Sequence, residues 1–110
     1  MIDLRLFLIQ RISALVMVPL VLGHLVVMIY AIQGGLSAEE ILGRTKGSVL
    51  WFLFYGLFVL AVSVHGAIGL RTILHEWGRL PKNSLGFVMA VIFLGLLWLG
   101  FRAVWAVTFA

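Results

Sequence analysis

Three long stretches without a single charged side chain constrain this chain more than anything else in it. They lie within spans of about residues 11–33, 48–71 and 84–104, and Arg11, Arg71 and Arg102 bound the uncharged runs. Each has about the ~20 residues that a helix needs to cross a bilayer. In hydrocarbon a backbone N–H or C=O finds no water, so a spanning segment must satisfy its own hydrogen bonds as a helix. The composition agrees: 64% of the residues are hydrophobic and 11% are charged, against about 25% charged in a soluble domain. The expected fold class is an all-α integral membrane protein with three transmembrane helices in one domain, residues 1–110. A soluble core or a water-exposed sheet is excluded. A cleavable signal peptide is not expected, because the first apolar run is too long and lacks an Ala-x-Ala exit.

Met1–Gln10 reads as a short, mildly amphipathic lead-in containing Asp3 and Arg5. Pro19 lies inside the first run and removes one backbone hydrogen bond, which predicts a kink. Gly34-Gly35 ends that helix. In the polar loop that follows, Ser37 is placed to cap a short surface helix over about 37–45. Glu39 and Glu40 suit the positive end of its dipole. Gly78 and Pro81 punctuate a basic connection between the second and third spans. No internal repeat or low-complexity segment interrupts this order.

The net charge of +4 comes from 8 basic and 4 acidic residues. In so apolar a chain the basic residues report topology rather than nucleic acid. Arg5, Arg11, Arg71, Arg79 and Lys82 fall on one side, and Arg44, Lys46 and Arg102 on the other. This bias places the N-terminus inside. Tyr30, Trp51, Trp98 and Trp105 then belong near the outer interface and Trp77 near the inner one. The chain has no cysteine, which excludes disulfides, thiolate clusters and thiol redox chemistry.

Two histidines lie inside spans. His65 sits in Val64–Trp77, which reads V-H-G-A-I-G-L-R-T-I-L-H-E-W. An imidazole in hydrocarbon is costly and needs a reason. A haem iron supplies one, since imidazole is a standard axial ligand. Ala61 and Gly69, at i−4 and i+4, share its face and leave space for a flat macrocycle. The competing reading is a hydrogen bond to a neighbouring helix, with small residues that let helices approach. For His24 the alternatives are a haem ligand or a bond to a backbone carbonyl freed by the kink. At 1.5 Å per residue, His24 lies roughly 20 Å from the inner boundary and His65 roughly 9 Å. The depths differ by about 10 Å; if the haem plane stands upright, both ligands of one iron lie at similar depth, so the two are poor candidates for the same iron. Each needs a partner histidine from another chain.

Arg11 and Arg71 sit where they reach haem propionates or a quinone carbonyl, or snorkel to lipid phosphates. Ser13 is a hydrogen-bond donor or a packing residue. His75, beside Glu76 and Trp77 near the headgroups, reads as solvated. A histidine there would suit proton delivery to a quinone near that interface.

The pattern His65-x-x-x-Gly69-x-Arg71, followed by Glu76-Trp77, resembles the membrane-anchor subunits of succinate dehydrogenase (complex II) and fumarate reductase. Arg11-Ile12-Ser13 is similar to the family's Arg-x-Ser/Thr near the quinone pocket, with Ala14 in place of its glycine. Leu22-Gly23-His24-Leu25 looks like the first-span histidine of the two-haem anchors. The D-type anchor fits better than the C type. The resemblance implies half of a two-subunit haem-binding helical bundle. His65 would ligate haem b, and His24 a second haem farther from the iron–sulfur subunit. Arg71 would serve a propionate or quinone, and Arg11, Ser13 and Trp77 the quinone site. It also implies one or two haems shared with a second three-span anchor, an iron–sulfur subunit and a flavoprotein subunit as partners, and no role for this chain in the carbon chemistry. The expected location is the cytoplasmic (inner) membrane of a bacterium or archaeon.

Two rival readings remain. A small multidrug-type transporter has about this length, but it needs four spans and an intramembrane carboxylate. No Asp or Glu lies in any span here. A haem-free structural anchor would use both histidines as hydrogen-bonding glue.

Overall fold

The computed structural model describes residues 4–109. Residues 1–3 of the lead-in, Asp3 among them, lie outside the described residues. Four helices follow in order: α1 (Leu4–Gly34), α2 (Ala38–Thr45), α3 (Val49–Glu76) and α4 (Lys82–Thr108). No strand occurs among the described residues. The three long helices are each long and apolar enough to cross a membrane.

From Leu4 onward the lead-in is not a separate piece. It runs into α1 without a break, since Leu, Phe, Ile, Gln and Arg fit a helix and no Gly or Pro intervenes before Pro19. Pro19 itself sits inside continuous helix. The 31 residues of α1 give about 46 Å at 1.5 Å per residue. The molecule measures 48 × 24 × 23 Å. A hydrocarbon core is about 30 Å thick, so the helix ends project past it.

Helix α3 is the centre, with α1 packed on one side and α4 on the other. Small residues set the spacing at these contacts, as is usual where lipid offers no hydrophobic push between helices. A Cβ at Gly100 of α4 would fall within van der Waals overlap of the Val59 side chain of α3. Gly66 faces Leu96 and Gly56 faces Phe101 in the same seam. Buried apolar residues are few and mostly modest in size: Leu20, Ala61, Ala67, Ile68, Leu85 and Val104. Large apolar side chains such as Leu15, Leu50, Phe87 and Trp98 point outward. A water-soluble monomer does not tolerate apolar exposure on this scale, whereas lipid or a membrane partner does.

Gly35 makes the turn after α1 at φ +120, where a Cβ would strike the Glu40 carboxylate. Ser37 then caps α2. Its Oγ accepts from the Glu40 N–H at 3.1 Å and donates to Glu40 Oε1 at 2.7 Å. Helix α2 straps the end of the bundle. Arg44 donates to the Gly35 carbonyl at 3.2 Å, and Thr45 Oγ1 donates to the Val107 carbonyl at 2.6 Å. The Gly47 N–H donates to the Thr108 carbonyl. Val107 and Thr108 lie in the last turn of α4, whose carbonyls have no partner within the helix. The strap supplies that partner.

Candidate functional site

Helices α1 and α3 run antiparallel, and their contact brings the intramembrane histidines to two separate levels. At the level nearer the α1 N-terminus, Ser13 Oγ lies 3.2 Å from His65 Nδ1. The same hydroxyl donates to the Gln10 carbonyl at 2.8 Å. Ser13 is 7% exposed. His65 Nε2 makes no hydrogen bond among the described residues.

At the other level His24 stands edge-on to the rings of Phe58 and Tyr55, with centroids 5.4 and 6.1 Å away. His24 makes no hydrogen bond among the described residues. The carbonyl partner that a kinked helix was expected to offer it is not used. His24 lines a cavity of about 600 Å³ between α3 and α4 under the α2 strap, together with Tyr55, Phe58 and Ser63. Ser63 is 1% exposed and its Oγ is buried without a partner among the described residues. Along α3 the His24 level, at Tyr55–Phe58, is 7 to 10 residues from His65, or about 10–15 Å. The depth offset read from the boundaries is thus of the same size in the packed helices.

The space expected at Gly69 is not open. The Gln10 amide of α1 fills it, with Nε2 3.4 Å from where a Cβ would stand. A glycine at i+4 from His65 therefore admits a side chain from α1. Gln10, which carries no motif signal in the sequence, ends up beside the histidine level, and its Oε1 is buried without a partner among the described residues. An amide one helical turn from an intramembrane serine is the signal that would have found it.

Arg11 is exposed, with its guanidinium 5.6 Å from the Phe7 ring centroid one turn earlier. Arg71 is half-buried and makes no ion pair or hydrogen bond among the described residues. Trp77 ends α3 and is 82% exposed. His75, expected to be solvated, is only partly so. It is half-buried, and its Nδ1–H donates to the Leu80 carbonyl at 3.2 Å, which ties the α3–α4 connection. So Ser13 and His65 are in direct contact, His24 is separate, and Arg11 and Trp77 face outward.

Among the described residues no three His, Cys, Asp or Glu side chains come together. A haem iron asks for only one imidazole from a given chain. An unbonded Nε2 at His65 and an unbonded ring at His24 fit that demand.

No curated protein and no solved structure matches the chain. A family model described as "Succinate dehydrogenase/Fumarate reductase transmembrane subunit" matches residues 2–101, from before α1 into the last turns of α4. With three long apolar helices and this match over nearly its whole length, the chain is an integral membrane protein belonging to the succinate dehydrogenase/fumarate reductase transmembrane subunit family.

Proposed function

We propose that this chain is the haem b and quinone-site anchor of a succinate:quinone oxidoreductase. It would pair with a second three-span anchor and dock an iron–sulfur subunit that a flavoprotein feeds. Bound haem b supplies a one-electron carrier between the iron–sulfur subunit and quinone. The observation that carries the reading is the pair of intramembrane histidines about 10–15 Å apart in level, each with ring nitrogen left unbonded. Hydrogen-bonding glue would spend a ring nitrogen on a neighbouring helix; His24 spends none, and His65 spends only Nδ1, on Ser13. His65 holds the iron nearer the iron–sulfur subunit, and His24 holds a second one beside its cavity. The absorbance spectrum of the purified complex tests this. Dithionite should bring up the sharp α-band of low-spin b haem. A complex without that band would be a haem-free anchor.

The N-terminus lies inside, so the quinone binds at the end of the bundle that carries Arg11, Arg71 and Trp77. Arg11 and Arg71 offer N–H donors to the carbonyl oxygens, with Arg71 also suited to a propionate. Ile12 and Trp77 offer apolar walls. Ser13 is a poorer donor than its position in the sequence implies, because its one proton already goes to the Gln10 carbonyl. Arg11→Ala is expected to raise the quinone KM at least tenfold or abolish quinone reduction. A lost charged hydrogen bond of about 1.5–3 kcal/mol corresponds to roughly that factor or more. Succinate oxidation with an artificial acceptor should stay normal. Unchanged quinone kinetics would move the site elsewhere.

A further inference from the structure

A serine hydroxyl carries one proton. At Ser13 that proton has two neighbours, the Gln10 carbonyl at 2.8 Å and His65 Nδ1 at 3.2 Å. A carbonyl only accepts, so the shorter contact takes the proton. The longer contact is then a hydrogen bond only if Nδ1 carries a hydrogen and donates it to the Ser13 lone pair. A neutral imidazole with its proton on Nδ1 has its free lone pair on Nε2, the nitrogen with no hydrogen bond among the described residues. Ser13 is 7% exposed, which limits the access of water to its hydroxyl. The Gln10 amide packed over Gly69 holds α1 against α3 at this level, which keeps Ser13 in register with the ring.

We propose that Ser13 is a positioning residue for His65: it accepts the Nδ1–H, fixes the ring's orientation and tautomer, and so aims the Nε2 lone pair at the iron. This rests on the reading of His65 as a haem ligand. Such an outer hydrogen bond makes the imidazole a stronger donor, which favours ferric over ferrous iron and lowers the potential.

The test uses the whole complex with Ser13→Ala and Ser13→Thr. Haem content, the low-spin spectrum and a redox titration are read for each. A hydrogen bond of about 0.5–1.5 kcal/mol predicts that Ser13→Ala shifts the ferric–ferrous equilibrium about threefold to tenfold toward ferrous. At 59 mV per decade that raises the midpoint by about 30–60 mV. Haem content should remain near that of the unaltered complex, and Ser13→Thr, which keeps a hydroxyl, should restore the original potential. An unshifted midpoint in Ser13→Ala would overturn the proposal and leave the haem reading standing. Equal shifts in both variants would overturn it too, since they would report packing. If the unaltered complex holds no b haem, the haem reading itself falls and takes this role of Ser13 with it.

Discussion

A His65→Ala complex is expected to lose one b-haem signal, or to keep that haem with high-spin iron. Among the described residues the imidazole is the group at this level with a basic nitrogen left unbonded. Ser13 is committed to Gln10, and the Gln10 amide is packed over Gly69. Alanine leaves an apolar gap that no neighbouring side chain can fill with a donor atom, so the iron keeps at most its ligand from the partner anchor. One axial nitrogen gives a weaker field and a high-spin centre, and loss of half the ligation lets the macrocycle escape. The protein itself should survive the change. The substitution removes one hydrogen bond to Ser13, worth about 0.5–1.5 kcal/mol, against helices held by the long α1–α3 and α3–α4 contacts. Membrane insertion and assembly with the soluble subunits are therefore the controls. A low-spin spectrum of undiminished amplitude in an assembled His65→Ala complex would rule out His65 as a ligand.

Three spanning helices were legible because three uncharged runs allow no other backbone solution in hydrocarbon. The helix ends were less so. Arg11, Arg71 and Arg102 mark where lipid gives way to headgroups, but a helix does not stop at a charge. Hydrogen bonding carries α1 back to Leu4, until Gly35 turns the chain at φ +120, and α3 on to Glu76, with Arg79 left-handed at φ 57 just beyond it. The Ser37 cap was readable because a side-chain N-cap is local in sequence. At the candidate site, what could be read was residue type and depth, since both follow from the run and its rise per residue. What could not be read was azimuth between helices. Gly69 read as space and is where Gln10 packs. His75 read as solvated and holds the Leu80 carbonyl. The pairing of Ser13 with His65 spans 52 positions, and only the packing angle of α1 on α3 decides it.

His24→Phe is expected to abolish a second b-haem signal and leave the His65 haem in place. Phenylalanine is the informative replacement because it separates ligation from packing. The His24 ring now sits edge-on to Phe58 and Tyr55, contacts worth about 0.5–1.5 kcal/mol each. A phenyl ring keeps an aromatic edge there but has no nitrogen for iron. The cavity beside it, about 600 Å³ and walled mainly by apolar side chains, stays available, so any haem loss reports the missing ligand. The level of His24 is about 10–15 Å along α3 from His65, and the two rings share no partner among the described residues: one meets Tyr55 and Phe58, the other Ser13. Sites so separated are expected to behave additively. Haem per complex should then fall from two to one in each single variant, with each variant losing a different redox component, and to none in the double variant. One haem per unaltered complex, retained with an unchanged spectrum in His24→Phe, would remove the second haem and leave His24 as an aromatic packing residue against α3.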